Sequence, residues 1–251
     1  MINPVEFKDK QILLTGSAVG IGRAVALLLN QMGANIVMID IDEPGLEKLS
    51  SELKGERHKS YCYDLKNLEG IEGLVSGIVS EKGPFDGFVH CVGIRSRRPL
   101  SMLKPSAVAD IMGVNFGSFI ELVRCTSKSN HFRPGYSIVG VSSVSAHAGS
   151  ASVTAYAASK GAMESAVRCI AKEMANRKIR INTVIPSQIN TPEYVKLRKN
   201  SPSEVEQLSE RQYLGLGEPI DVANAIIFLL SDMSRFITGS SIAVDGGFLA
   251  S

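Results

Sequence analysis

Tyr156 and Lys160 stand four residues apart in a stretch, Ala155 to Met174, that has the composition of a helix. Residues at that spacing share a helical face, so the phenol and the ammonium can point into the same space. A cation held near a tyrosine favours its phenolate and lowers a pKa that is ~10 when unperturbed. Such a tyrosine is a usable general acid or base nearer neutral pH. Ser143 follows an apolar run, Ile138 to Val141, that reads as a buried strand ending in Ser142-Ser143. Its hydroxyl can donate a hydrogen bond to the oxygen being protonated. Tyr and Lys at this spacing also recur on solvated helix faces, so the elements around the pair must decide what it does.

Those elements begin with a short apolar strand, Gln11 to Thr15, then Gly16-Ser17-Ala-Val-Gly20-Ile21-Gly22, then a helical pattern from Arg23 to Met32, then a second strand, Ala34 to Asp40. This is a βαβ unit of about the length expected for dinucleotide binding. The glycines let the backbone turn tightly against a pyrophosphate, and the helix N-terminus offers free N–H groups and a positive dipole end. The spacing is Gly-x-x-x-Gly-x-Gly. Asp40 ends the second strand, 40 − 22 = 18 residues after the last glycine. A carboxylate there accepts hydrogen bonds from adenosine ribose hydroxyls and repels a 2′-phosphate. Ile41-Asp42-Glu43 adds negative charge, and Ser17 to Ile21 contains no Arg or Lys. The expectation is NAD(H) in preference to NADP(H). The competing reading of Asp40 is an N-cap for a helix over Glu43 to Leu53.

A third strand, Lys59 to Tyr63, ends at Asp64-Leu65, and an amphipathic helix spans Leu68 to Ser80. A fourth strand, Asp86 to Val92, closes on Gly93 and leads into a loop with Arg95, Arg97 and Arg98. Ser106 to Lys128 reads as one helix with Asn115 inside it. Arg180 to Ile185 is a sixth strand, followed by Pro186, Ile189 and Thr191. The polar stretch 193–217 reads as a lid-like excursion, helical around Ser203 to Tyr213. Pro219 opens a helix to Leu230, and Ser241 to Val244 is a last strand before Asp245-Gly246-Gly247. Alternating strands and helices imply an α/β fold: one doubly wound, Rossmann-like domain over residues 1–251, a parallel sheet of about seven strands with helices on both faces. In such sheets ligands bind at the carboxyl ends of the strands. The turn at 16–22, Asp40, Asp64, Gly93, Ser143 and Pro186 all follow strand ends, so they share one edge with the Tyr156–Lys160 pair.

Composition narrows the partners. The chain has 251 residues, 44% hydrophobic, with 27 basic and 25 acidic residues and a net charge of +2. That balance, with no long charge run, argues against nucleic acid or an anionic membrane as the main partner. Met1 to Lys10 is polar and lacks the apolar core of a signal peptide, and no apolar run approaches the ~20 residues of a membrane span. Cys62, Cys91, Cys125 and Cys169 are scattered without metal-ligand spacing, as expected for reduced thiols in a cytoplasmic protein and no metal site.

Over nearly its whole length the chain resembles the short-chain dehydrogenase/reductase family, and within it the 3-oxoacyl-[acyl-carrier-protein] reductase type and its sugar-, polyol- and keto-reducing relatives. The matching motifs are Thr15-Gly-x-x-x-Gly-Ile-Gly22, Asp64, Asn115, Ser143, Tyr156-x-x-x-Lys160, Pro186 with Ile189 and Thr191, and Asp245-Gly246-Gly247. The resemblance implies that Tyr156 exchanges a proton with the substrate oxygen and that Ser143 polarises the carbonyl. Lys160 would lower the tyrosine pKa and bind the nicotinamide ribose, and Asn115 would position a water relaying protons from Lys160 to solvent. Gly16, Ile21 and Gly22 would line the diphosphate and ribose, Asp64 and Leu65 the adenine, Gly93 the riboses, and Ile189 and Thr191 the carboxamide. Two places depart from the family pattern. His90-Cys91-Val92-Gly93 replaces Asn-Asn-Ala-Gly, which removes two amides that tie neighbouring strands, and Pro186-Ser187 replaces Pro-Gly.

The substrate is expected to be a small carbonyl or alcohol compound, held by residues 95–100, 144–153, Gln188 and the 193–215 region. Arg95, Arg97 and Arg98 either bind an anionic group on it or form a solvated loop. His147 either faces it or is incidental. The Ala155–Met174 helix is apolar beyond one stripe, which suits burial on two sides. The resemblance implies a dimer through this helix and the Asn115 helix, often completed to a tetramer. The activity expected is hydride transfer between a nicotinamide cofactor and a ketone or secondary alcohol, either a 3-oxoacyl thioester or a sugar, polyol or hydroxy acid. A dinucleotide-binding protein without turnover is the reading from another class.

Overall fold

The computed structural model describes residues 6–251, so Met1 to Val5 of the polar N-terminal stretch lie outside the described residues. Seven strands form one parallel sheet: β1 (Gln11–Thr15), β2 (Asn35–Asp40), β3 (Lys59–Cys62), β4 (Phe85–His90), β5 (Phe132–Val141), β6 (Arg180–Pro186) and β7 (Ser241–Val244). Their order is β3-β2-β1-β4-β5-β6-β7. The chain winds outward one way from β1 to β3, then returns to pair β4 against the other side of β1. The strand order therefore reverses between β1 and β4, where doubly wound sheets open a crevice.

Side-chain alternation divides the core into two layers. Ile12, Leu14, Ile36, Met38, Val139 and Val141 face one layer, completed by Val25 and Leu29 of α1 (Gly20–Gln31) and by Ile226 and Leu229 of α9 (Pro219–Leu230). Leu13, Val37, Ile39, Phe88 and Ile138 face the other. There they meet Ile71 and Val75 of α3 (Ile71–Lys82), Phe119 and Leu122 of α5 (Ser118–Thr126), and Met163 and Val167 of α6 (Thr154–Met174). Strands buried on both faces read as near-continuous apolar runs because successive side chains enter opposite layers. Each such side chain contributes ~1.5–3 kcal/mol by leaving water.

Three elements differ from the sequence reading. The single helix expected over Ser106 to Lys128 is α4 (Pro105–Met112), one π turn at Gly113–Gly117, then α5. The π turn carries Asn115 inward, and such turns insert one residue per turn, often at functional positions. Together these pieces make a 22-residue apolar helix, Pro105–Thr126, long enough by composition to cross a membrane. Here Phe119, Leu122 and Val123 bury into the core layer, while Asp110, Glu121 and Arg124 carry charge along the same helix. Second, the 193–217 stretch holds two helices, α7 (Pro192–Asn200) and α8 (Pro202–Ser209), so helical structure starts earlier than Ser203 and stops before Tyr213. Thr191 and Ser201 precede prolines at the first helical positions, the signal that marks both starts. Third, Asp42 and not Asp40 caps α2 (Glu43–Glu52), accepting from Gly45 N at 3.1 Å.

His90, at the end of β4, does part of what the missing amides would do. Its Nδ1 lies 2.9 Å from Thr15 Oγ1, tying β4 to β1. The ring is fully buried, with centroids 6.0 Å from Phe88 and 5.5 Å from Phe119. Burial, helped by the Lys160 charge, drops its pKa to about 3. The unfolded chain takes up this proton near pH 6.5, whereas the folded chain refuses it until about pH 3. The stability this represents is intact above pH 6.5 and is lost as pH falls, at up to about 1.4 kcal/mol per unit. We expect His90→Asn, which can keep a bond to Thr15, to lose about 2 kcal/mol less between pH 7 and pH 5 than the parent. Urea unfolding at the two pH values measures this, and parallel losses in both proteins would refute it.

Candidate active site

A cleft of about 920 Å3 runs along the carboxyl ends of the strands. Its floor at one end is the Gly-rich turn between β1 and α1. Gly16 has φ +69°, and a Cβ on it would come within 2.8 Å of Val92 N. A Cβ on Gly22 would meet Gly16 O at 1.9 Å, so only glycine lets α1 start this close to the turn. Among the described residues no side chain caps the α1 N-terminus, and no acidic residue lies in its first turn. Its first-turn N–H groups and dipole therefore face the cleft without a side-chain partner, which fits a diphosphate. Asp40 Oδ2 accepts from Ala18 N at 2.9 Å and Oδ1 from Asp42 N at 3.1 Å. These two bonds fix the carboxylate at the rim, beside Ile41, which is 65% exposed. Lys66 also lines this end, and its ammonium is paired with Asp110 at 2.8 Å. Asp64 and Leu65 also line the cleft, as do Gly93, Pro186, Ile189 and Thr191.

Fourteen of the residues expected to hold the coenzyme line this cleft: Gly16, Gly20, Ile21, Gly22, Asp40, Ile41, Asp64, Leu65, Gly93, Tyr156, Lys160, Pro186, Ile189 and Thr191. Ser17 does not. It is fully buried beneath the turn, and its Oγ has no hydrogen-bond partner among the described residues. Thr191 Oγ1 caps α7 by accepting from Tyr194 N at 3.3 Å, so it also sets where the following helix begins.

Ser143, Tyr156 and Lys160 meet at the centre of the cleft. Ser143 begins a short 3-10 turn, Val144–Ala146, and its hydroxyl is near enough to the Tyr156 phenol to hold that group's pKa down. Lys160 is 2% exposed and donates from Nζ to Val141 O at 2.7 Å. Its Nζ lies 5.9 Å from the centroid of the Tyr156 ring. The Arg95 guanidinium lies 5.3 Å from the same centroid. Burial raises the phenol, and the nearby Ser143 hydroxyl and the Arg95 charge offset part of that rise. Both cations stand over the Tyr156 ring, and Lys160 is also held by the Val141 carbonyl. Burial itself lowers Lys160 to about 8.

Asn115 is fully buried and does not line the cleft. Its Oδ1 accepts from Ile94 N at 2.7 Å, and its Nδ2 donates to Ile94 O at 3.0 Å and to Ser159 Oγ at 2.9 Å. The amide thus ties the loop after β4 to α6. Of the three loop arginines, Arg95 and Arg97 line the cleft, while Arg98 is exposed outside it and donates its backbone N–H to Ser152 O at 2.8 Å. His147 points away from the cleft, to Glu164.

Sequence reasoning missed two lining residues, Val114, which arrives through the π turn, and Phe248, from the C-terminal segment. The expected 193–215 region does line the cleft, through Tyr194 and Lys196 of α7 and Leu208 of α8. Phe248 is placed by Asp245, whose carboxylate accepts from Gly247 N at 3.0 Å and Leu249 N at 2.9 Å. The proline-opened helices were a usable signal for α7 and α8. No local signal brings Phe248 to Ser143, since the two come from opposite ends of the second half of the chain.

A parallel doubly wound sheet with a Ser–Tyr–Lys group at its carboxyl edge defines a nicotinamide-dependent oxidoreductase of Rossmann type. The family model described as Enoyl-(Acyl carrier protein) reductase matches residues 16–249. The chain is 34% identical over 248 residues to the 3-oxoacyl-[acyl-carrier-protein] reductase of Thermotoga maritima, covering 98% of this chain and 100% of that one. It superposes with TM-score 0.90 and 30% identity on a short-chain dehydrogenase/reductase, glucose/ribitol dehydrogenase, from Brucella melitensis, with 98% of each chain covered. A structure from Beutenbergia cavernae, described as an NAD(P) dependent gluconate 5-dehydrogenase with NADP bound at low occupancy, matches with TM-score 0.92 and 27% identity over 99% of this chain and 100% of that one. The chain belongs to the short-chain dehydrogenase/reductase family. It is an NAD(P)-dependent oxidoreductase that transfers a hydride between its cofactor and a ketone or secondary alcohol.

Proposed function

We propose that the protein is an NAD(H)-preferring enzyme whose proton chemistry is performed by Ser143, Tyr156 and Lys160. The observation that carries this is their convergence at the centre of the cleft, opposite an uncapped helix N-terminus. A bound nicotinamide coenzyme supplies or accepts the hydride, and the chain provides placement and proton transfer. Tyr156 Oη gives a proton to the substrate oxygen in reduction and takes it in oxidation. Ser143 Oγ donates a hydrogen bond to the same oxygen and steadies the charge that develops there. Lys160 holds a positive charge close to the reacting groups and binds a ribose hydroxyl. Asn115 keeps the Ile94 segment in register with α6, where a water relaying protons between Lys160 and solvent would be held. Gly16, Gly20, Ile21 and Gly22 take the diphosphate, and Asp40 and Ile41 the adenosine ribose. Asp64 and Leu65 take the adenine, Gly93 the riboses, and Pro186, Ile189 and Thr191 the carboxamide. α7 and α8 act as the lid over the substrate end.

Two substrate classes fit. A 3-oxoacyl thioester is favoured by the similarity to the acyl-carrier-protein reductase, and a sugar, polyol or hydroxy acid by the similarity to the ribitol and gluconate dehydrogenases. Asp40 supports the second class somewhat, because biosynthetic reductases commonly draw on NADPH. Assembly as a homotetramer or homodimer through α5 and α6 accords with the exposed Ala158, Ser165 and Cys169 on α6, and a cytoplasmic site of action with the free cysteines.

Coenzyme-monitored turnover of acetoacetyl-coenzyme A with NADH, and of ribitol and D-gluconate with NAD+, tests the reading. At least one is expected to react. If none does, nor any of a wider set of ketones and alcohols, the oxidoreductase reading of the Ser143 group fails. Arg95 and Arg97 at the substrate end suit an anionic group. Where D-gluconate reacts, Arg97→Ala should raise its KM about tenfold and leave that of ribitol unchanged. Equal KM changes for both substrates would remove the charge argument.

A further inference from the structure

Glu164 is a buried carboxylate for which hydride transfer has no direct use. It lies on α6 at 164 − 160 = 4 residues after Lys160, and it is 3% exposed. A carboxylate in such a place is costly unless each oxygen is hydrogen-bonded. Both are. Ser142 Oγ donates to Oε1, and His147 Nε2 lies 2.8 Å from Oε2. These partners flank the segment that carries Ser143. Ser142 is the last residue before it. His147 ends the 3-10 turn that Ser143 begins, with its backbone N–H on Val144 O at 3.0 Å. One side chain on the catalytic helix therefore fastens the loop on both sides of Ser143.

The remaining contacts of that loop are weak in holding Ser143 against α6. Ser142 N donates to Val184 O at 2.8 Å, which ties it to β6. Ser143 Oγ accepts from its own turn at Ser145 N, 3.2 Å away. The Lys160 ammonium holds Val141 O, a residue before the loop starts. Besides one long bond from Ser142 Oγ to Lys160 O at 3.5 Å, the side-chain hydrogen bonds that fasten this segment to α6 among the described residues run through Glu164. Errors of about 1 Å in the placement of a reacting group cost on the order of 100-fold in rate.

We propose that Glu164, with Ser142 and His147, is the positioning device that sets Ser143 Oγ against the Tyr156 hydroxyl. The inference rests on the reading of Ser143 as the hydrogen-bond donor to the substrate oxygen. His147 is a positioning residue on the outer side of the loop, and its half-exposed ring leaves the core undisturbed when it is replaced.

The test compares His147→Ala, Glu164→Leu and Glu164→Gln, each alone and combined with Ser143→Ala. Turnover of acetoacetyl-coenzyme A at saturating NADH is one readout. The other is the absorbance titration of Tyr156, isolated by subtracting the Tyr156→Phe protein, which needs no substrate. His147→Ala and Glu164→Leu should lower kcat at least about tenfold with the KM for NADH unchanged. Both should move the Tyr156 titration upward, because the Ser143 hydroxyl that opposes the effect of burial is no longer held close. Glu164→Gln, which can still accept from His147 and bond Ser142, should restore most of kcat. In the Ser143→Ala background none of the three should matter further. Unchanged kcat and titration in His147→Ala and Glu164→Leu overturn the proposal, as does an equal fall when Ser143 is already absent. If Glu164→Leu fails to fold, His147→Ala and its double variant decide alone. A Ser143→Ala protein with full activity would instead remove the catalytic reading on which this rests.

Discussion

Tyr156→Phe will lower kcat by about 10³-fold while leaving NADH binding within a factor of about two. The substitution removes one oxygen, so the ring still fills its place near the Arg95 and Lys160 side chains. What is lost is the group that exchanges a proton with the substrate oxygen in the transition state. General acid–base catalysis contributes about 10² to 10⁴ in rate, and 10³ corresponds to roughly 4 kcal/mol of barrier. Ser143 remains and can still polarise the carbonyl, so a residual rate above the uncatalysed one is expected. Stopped-flow turnover beside a fluorescence titration with NADH separates the two quantities. A Tyr156→Phe protein that keeps a tenth of its kcat would show that the proton travels by another group. A protein that binds NADH but has no turnover before the change would belong to the non-catalytic class.

The second large effect concerns the coenzyme. Asp40→Ser combined with Ile41→Arg should shift the ratio of kcat/KM for NAD+ over NADP+ by at least about 100-fold toward NADP+. The Asp40 carboxylate is held at the rim by Ala18 N and Asp42 N, so it cannot swing away from a 2′-phosphate. Like charges near 4 Å at a partly solvated rim repel by several kcal/mol at an effective dielectric of about 20. Ile41 is mostly exposed beside it, so an arginine there can reach a phosphate without disturbing the core. Lys66, a cation that also lines the cleft, is paired with Asp110 and does little to offset Asp40. The shift should shrink in high salt. A wild-type protein that already prefers NADPH would refute the electrostatic argument, since Asp40 would then be tolerated beside the phosphate. Asp40→Ser alone should cost some stability as well, because Ala18 N and Asp42 N lose an acceptor.

Much of the fold was legible because its strands are short, apolar and end on chemically distinctive residues. β1, α1 and β2 were readable from a local pattern: apolar strand, glycine turn, helix, apolar strand with a terminal carboxylate. Tyr156 and Lys160 were readable from helical spacing. The π turn at Gly113–Gly117 was not, because its extra residue per turn is stabilised by the Asn115 amide bonding Ile94 and Ser159, partners 21 and 44 residues away. The 193–217 region was read too loosely, since its helices are polar and carry little apolar period. The arginine loop was read too uniformly. Three arginines in four positions look alike in a sequence, yet the backbone bond from Arg98 to Ser152 turns that residue outward while Arg95 and Arg97 line the cleft.

The sequence by itself determined the class of chemistry. Residue type and spacing are enough for that, because a βαβ turn and a helix face are local structures that a few neighbouring residues dictate. Only the tertiary structure decided how the catalytic groups act on one another. Burial raises the Tyr156 phenol and lowers Lys160 to about 8, effects that depend on everything packed around them. A second cation, Arg95 from the loop after β4, is brought over the Tyr156 ring beside the lysine that sequence spacing pairs with it. His90 replaces a tie that an amide would make, and Glu164 fastens the turn that carries Ser143. Each of these is a contact between segments far apart in the chain, whose energy comes from exclusion of water at a point that no local pattern specifies.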